Sequence, residues 1–277
     1  ISTHKKVGGH KKISSLQNPS VKEWVQLKDK SRFRKLSGNF LLEGRREIQL
    51  AIEGGYSIHK LVYCSTIIDK ESLTSLLESL PSATTCIELS TEVYTKVATR
   101  DTTEGVFALA ASKSHALEGL VFKRKAPLLL VAEAPEKPGN IGALLRTADA
   151  ADIDAVLIAN PKTDLYNPNT IRSSVGCLFT TQVATGSTEE ILTYLKEHKI
   201  AVYAAALKKD AEPYQEQDFK KATAIVVGTE AIGLSEDWLE NANKKIIIPM
   251  NGKIDSMNVS VAAAVLIFEA KRQRNFS

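Results

Sequence analysis

From residue 126 onward the chain alternates short, wholly apolar runs with stretches of helical periodicity, and that alternation leaves few folds open. Leu128–Ala132 has no polar position, which suits a strand buried on both faces. After it the pattern predicts a helix over Ile141–Ala151, a strand at Ala155–Ala159, a helix over Glu189–Lys199 and a strand at Ile200–Ala205. Then come a strand at Ala222–Val227, a short helix at Trp238–Ala242, a strand at Lys245–Ile248 and a closing helix over Val259–Arg274. Such alternation reads as an α/β layer, a mostly parallel sheet with helices on both faces. The most apolar stretch, Val259–Phe268, is about half a membrane span, so no membrane partner is expected.

The first part of the chain reads as a smaller α/β unit. Strands are expected at Phe40–Glu43, Leu61–Cys64 and Val106–Ala110, and helices at Gly44–Glu53, Glu71–Leu80 and Glu92–Ala98. The organisation expected is a basic extension at 1–37, a small α/β domain at 38–112, a linker at 113–125 and a larger domain at 126–277. A short helix is expected within the extension around Lys22–Lys30, after the Asn18-Pro19 turn. Charge divides along the same line. Residues 1–46 carry 12 Lys and Arg against 3 Asp and Glu, whereas residues 47–277 carry 24 against 29. A basic leader on a mildly acidic body is the asymmetry of a chain that meets a polyanion. Cys64, Cys86 and Cys177 are far apart and odd in number, which argues against a disulfide framework or a zinc site and fits a reducing cytoplasm.

Ligands of open parallel sheets bind beyond the carboxyl ends of the strands. Three segments there draw attention. In Pro138–Ala148, Ile141, Leu144, Leu145 and Ala148 form one apolar face, and Gly142 and Arg146 stand four apart on another. Gly139 and Asn140 end a loop, a helix follows, and Arg146 projects over a small residue, leaving room for a phosphate or ribose; the plainer alternative is Asn140 as an ordinary N-cap and Arg146 as a solvated surface residue. In Ile225–Ser235 a buried strand runs into Gly228-Thr229-Glu230 and then Gly233-Leu234-Ser235. Gly228 is expected to open space for close backbone approach to a ligand. In Ile246–Ser260 a strand ends at Pro249, Asn251-Gly252 turns the chain, and Ser256 or Asn258 is placed to cap the last helix. No GxGxxG or Walker loop is present, so the dinucleotide and nucleoside-triphosphate readings lose ground.

Together, in this order and spacing, the segments resemble the SpoU (TrmH-type) family of RNA ribose 2′-O-methyltransferases within the SPOUT superfamily. Asn140–Ala148 is similar to its first motif, Val227–Ser235 to its second and Ile248–Ala262 to its third. Met257 departs from the family's usual leucine by a near-isosteric swap. Ile13-Ser14-Ser15, Asn18-Pro19, Val21-Lys22 and Phe40–Gly44 resemble the RNA-binding domain that precedes this module in rRNA-type members. The resemblance implies a trefoil knot in the larger domain, S-adenosylmethionine as methyl donor and a homodimer, without a metal. It implies donor binding by Gly228, Thr229, Ile248, Met257 and Asn258. It puts Asn140, Arg146, Glu230, Ser256 and Asn258 on catalytic positions. The function expected is methyl transfer to a ribose 2′-hydroxyl, of ribosomal RNA in the first place. A tRNA methyltransferase and a non-catalytic RNA-binding module are the alternatives. Arg146 is expected to clamp a phosphate rather than act as base, since arginine stays protonated, with Glu230 orienting Asn140 or Arg146.

Overall fold

A computed structural model of the chain describes residues 10–229 and 231–277. Two compact units emerge. One takes in the chain up to Lys113 together with Asp164–Thr180, the other Ser114–Thr163 with Thr181–Ser277.

The first unit is built on a five-stranded mixed sheet. Its strands are β1 (Lys11–Ile13), β2 (Asn39–Glu43), β3 (Ile58–Tyr63), β4 (Thr85–Leu89) and β5 (Val106–Ala111), in the order β1-β4-β3-β5-β2. Helices α1 (Pro19–Asp29), α2 (Ser31–Ser37), α3 (Arg45–Glu53), α4 (Lys70–Ser79) and α5 (Thr91–Val97) connect them. The described part of the expected basic extension is therefore no extension. β1 pairs in parallel with β4, and α1 buries Val21, Trp24 and Leu27. These recur every third residue, an apolar stripe that the flanking lysines obscure in a charge count. Trp24 meets Phe107 edge to face at 5.6 Å inside the core.

The chain enters the second unit with β6 (Leu128–Glu133), α6 (Pro138–Ala150) and β7 (Ala155–Ala159). It then returns to the first unit, where α7 (Pro168–Ser173) and the residues around it are packed. Leu165, Tyr166, Ile171, Leu178 and Phe179 of this returning segment are buried. Tyr166 stacks on Phe40 at 4.3 Å, and its hydroxyl lies 3.1 Å from that of Tyr56. Burial pushes both phenols above their ordinary pKa. Gly54 admits the segment: a Cβ there would stand 2.1 Å from the Phe179 carbonyl oxygen. Arg34 locks it. This guanidinium, 4% exposed, donates to Asp164 Oδ2 at 2.6 Å and to the carbonyls of Leu27 and Lys28 at the end of α1.

Back in the second unit follow β8 (Val183–Gly186), α8 (Thr188–Glu197), β9 (Ala201–Ala205), β10 (Glu212–Pro213), β11 (Thr223–Val227), α9 (Glu236–Asn241), β12 (Lys244–Ile247) and α10 (Val259–Gln273). The seven strands are all parallel, in the order β10-β12-β9-β11-β6-β7-β8. The parallel α/β architecture agrees with the alternation read in the sequence. Ser114–Lys125, expected as a linker, belongs to this unit and lies along β8. The His115 carbonyl accepts from Thr185 N–H at 2.8 Å, and Gln182 pairs through its side-chain amide with the Val121 backbone. Buried Leu117 holds it down. At the far end Arg274 donates to the carbonyls of Ala126, Phe219 and Lys221, tying the last helix to the start of β6. No helix among the described residues is long and apolar enough to cross a membrane.

Candidate functional site

The three sequence segments all leave carboxyl ends of the large sheet. β6 and β11 are neighbours, with Ala132 opposite Val227, and β12 lies beyond β9. Two strand spacings, about 10 Å, thus separate the exits of β11 and β12. The strands bring nothing but apolar side chains to this edge until their last positions, so polar groups begin where the loops begin.

The first segment starts its helix earlier than expected. Pro138 occupies the first turn, where its missing N–H costs nothing, and Lys137 is the N-cap residue. Asn140 is therefore inside the helix, and its side chain is not needed as a cap. Its Oδ1 accepts from Asn258 Nδ2 at 3.2 Å. Asn258 is itself the N-cap of α10, where its Oδ1 accepts from Ser260 N–H at 2.9 Å and also from the Ser260 hydroxyl. One bond thus joins the helices that carry the first and third segments, and α6 and α10 pack along each other. Arg146, two turns along α6, is exposed and has no hydrogen bond or ion pair among the described residues. Gly142 below it is buried.

In the second segment the loop curls back on itself. Gly233 N–H donates to the Thr229 carbonyl at 3.0 Å, and Gly233 takes φ +69°, a left-handed conformation. A Cβ on Gly228 would stand 2.4 Å from Gly233 C and 2.5 Å from Leu234 N. The glycine requirement at 228 is thus real, but the space it leaves is taken by the loop's own backbone, not left open as expected. Thr229 is half-buried, and Glu230 lies outside the described residues. The loop ends on Ser235, whose N–H donates to Glu133 Oε2 at 2.8 Å. Glu133 is a buried carboxylate at the end of β6, and the motif reading passed over it. Its signal was present: one acid closing an otherwise apolar strand.

The third segment, from Ile248 to Asn258, has no regular structure. Ile248 and Met257 are half-buried at its two ends, and Ser256 is exposed. Asn140 and Asn258 are brought together, and Arg146 lies six residues further along α6. Loops of this kind, rich in uncommitted backbone groups beside half-buried apolar side chains, suit a ligand with an apolar body and polar edges.

Comparison with known proteins follows this geometry. A family model described as the SpoU rRNA Methylase family matches residues 127–268, and one described as an MRM3-like substrate binding domain matches residues 18–108. The 23S rRNA (guanosine(2553)-2'-O)-methyltransferase RlmP of Bacillus subtilis is 31% identical, the match covering 94% of this chain and 99% of that protein. A crystal structure of an RNA 2'-O ribose methyltransferase superposes with TM-score 0.82 at 38% identity, covering 95% of this chain and 99% of that one. The SpoU methyltransferase AviRb from Streptomyces viridochromogenes, solved with AdoMet, gives TM-score 0.86 at 26% identity, covering 94% and 99%.

Proposed function

The chain belongs to the SpoU rRNA methylase family, and from that premise we propose that it moves the methyl group of S-adenosylmethionine to a ribose 2′-hydroxyl of ribosomal RNA. The observation that carries this reading is the Asn140–Asn258 bond, which closes the first segment on the third. Ribosomal rather than transfer RNA is favoured because the first unit matches a substrate binding domain.

The donor supplies an activated methyl on a sulfonium, so no metal is needed. The 2′-oxygen forms a bond to the methyl carbon while the carbon–sulfur bond breaks, and the hydroxyl proton leaves to solvent. What the chain must do is position and stabilise. Half-buried Ile248 and Met257 and the backbone of Gly228 and Thr229 hold the donor. Arg146 grips the phosphate next to the reacting ribose with its fork, fixing the hydroxyl for in-line attack. Asn258 holds Asn140 against that ribose, and Glu230 and Ser256 complete the set. The residues around the donor offer backbone and apolar contacts, which fit a molecule with both a nucleoside and a methionine end.

Two further features belong to this reading. α10 buries Ala263, Leu266, Ile267 and Ala270 but exposes Val261 and Phe268, with half-buried Ala264 and Val265 between them. Exposed Ile232 and Ile254 extend apolar surface onto the neighbouring loops. That stripe suits a second copy of the chain, the homodimer. The knot accords with a last helix fastened behind the 217–221 segment by Gln273 and Arg274. A cytoplasmic place fits three buried, free cysteines.

The test is methyl transfer from labelled donor to ribosomal RNA of a strain lacking this protein, followed by nuclease digestion and mass mapping. A single ribose-methylated nucleotide is expected. Label on a base, or on transfer RNA alone, would overturn the reading.

A further inference from the structure

Away from the strand ends, one concavity of the first unit gathers arginines. A groove of about 720 Å³ is bounded by Arg45, Arg46, Arg100, Ser72 and, from the returning segment, Val175. Arg46 is exposed and has no hydrogen bond or ion pair among the described residues. Glu47, Glu71 and Glu104 share the groove. Glu47 is buried, and its Oε1 holds Arg100 Nη2 at 2.5 Å, so this pair fixes the guanidinium. Arg100 Nε is buried with no acceptor among the described residues. Val175 takes φ +47°, a conformation that β-branched residues avoid and that persists where the surroundings impose it, often beside ligands.

Glu104 is the informative group. Its Oε2 accepts the backbone N–H of Arg45, the first residue of α3, at 2.6 Å, and its Oε1 stands 3.8 Å from Arg45 Nη2. The chain thus supplies its own anion to a helix start flanked by a guanidinium, which is the geometry that receives phosphates. Glu104 itself is exposed, between half-buried Thr103 and buried Gly105. The groove is several times larger than this one carboxylate, and the unit around it carries 18 Lys and Arg against 13 Asp and Glu.

We propose that this groove takes a backbone phosphate of the substrate RNA, which displaces Glu104 and is gripped by Arg45 and Arg46 with Arg100 behind them. The proposal rests on the RNA reading above. It makes opposite demands on two neighbours. Filter binding across a salt series, with an RNA fragment that the wild type methylates, reads both. Arg46→Glu is expected to weaken binding about tenfold at low salt and to make the salt slope shallower by about one. Arg46→Lys is expected to keep the slope. Glu104→Gln is expected to tighten binding about two- to fivefold, because the internal competitor is gone. Donor affinity by calorimetry stays unchanged in all three variants, and the urea midpoint followed by Trp24 fluorescence, which reports the first unit, stays where it is in the wild type. Unchanged RNA affinity in Arg46→Glu, or weaker binding in Glu104→Gln, would overturn the groove while leaving the methyltransferase reading in place. If wild type neither binds nor methylates ribosomal RNA, both readings fall.

Discussion

The two units place the polar residues that matter most in different settings. In the first, carboxylates and guanidiniums are turned inward. Arg34 meets Asp164, Glu47 meets Arg100, and Glu43 accepts from the Thr99 amide and from the hydroxyls of Thr99 and Thr103. In the second, the central strands are mostly apolar, buried Asp154 pairs with Arg124 at the amino end of β6, and the polar groups of the strand-end site stay at the rim. Arg146 and Ser256 have no hydrogen bond or ion pair among the described residues, and Asn140 meets Asn258 at the surface. Net charge follows a different division, 18 basic against 13 acidic residues in the first unit and 18 against 19 in the second. A guanidinium in the first unit can be a fastening, as Arg34 and Arg100 are, whereas Arg146 at the rim of the second meets no acceptor among the described residues. Buried charge needs its partner, because an unpaired ion in a low-dielectric interior is far costlier than the pair is favourable.

The largest effect expected from that contrast is on stability. Asp164→Ala leaves Arg34 buried and unpaired, at a cost of about 3–5 kcal/mol. Each unit holds one tryptophan, Trp24 in the first and Trp238 in the second. Urea unfolding followed by the fluorescence of each, isolated by replacing the other with Phe, should show the Trp24 transition moving to lower urea and the Trp238 transition moving much less. Replacing both partners, Arg34→Met with Asp164→Leu, should recover most of the loss. Equal shifts of both transitions would mean that the pair does not belong to one unit's stability.

Arg146→Ala tests the other side of the contrast. An exposed, unpartnered residue on the polar face of a helix leaves no cavity, so stability should change by about 0.5 kcal/mol or less. Donor affinity should hold. Single-turnover methyl transfer at saturating donor and RNA should fall on the order of 100–1000-fold. Arg146→Lys should recover only part of it, since a point charge lacks the fork. A wild-type rate in the alanine variant would leave Arg146 an ordinary surface residue.

How far the sequence disclosed all this depended on whether a feature is local. The strand Ala155–Ala159 and the helix Pro138–Ala150 are written in unbroken local patterns, and the reading found both within a few residues. Asn140, Arg146 and Asn258 were found because their motifs are contiguous. Arg34 was not separable from its lysine neighbours, because its role depends on Asp164, 130 residues away. The β1 and β4 strands escaped for a related reason: three and five residues long, they hold their place by pairing rather than by pattern. Gly228 was read as opening space for a ligand, whereas the need for glycine there lies in the curl of the loop, which no periodicity encodes.

That curl yields a prediction of intermediate size. Gly228→Ala brings a Cβ against the backbone of Gly233 and Leu234, which cannot yield as a flexible side chain does. The loop must open, with a strain of about 1–3 kcal/mol. Hydrogen exchange should quicken at Gly233, whose N–H closes the curl on Thr229, and donor affinity should drop with it. The first unit's exchange should not move. Unchanged exchange at Gly233 together with unchanged donor affinity would mean that the loop is not as tightly wound as its hydrogen bonds imply.

The smallest expected effect separates two duties of one residue. Asn258 caps α10 through Oδ1 and reaches Asn140 through Nδ2. Loss of the cap alone would cost about 1 kcal/mol. Asn258→Ser keeps a good capping oxygen while removing the amide that reaches across, so the melting temperature should hardly move. Asn140 then loses one neutral hydrogen bond in an exposed setting, worth about 0.5–1.5 kcal/mol. If that bond holds Asn140 against the ribose, the single-turnover rate should fall about two- to tenfold, with donor affinity changing less. Asn258→Ala should show the same rate loss plus the loss of stability. A serine variant that melts like wild type and also reacts like it would assign Asn258 to capping alone, and the bridge between the first and third segments would be a feature of packing rather than of the reaction.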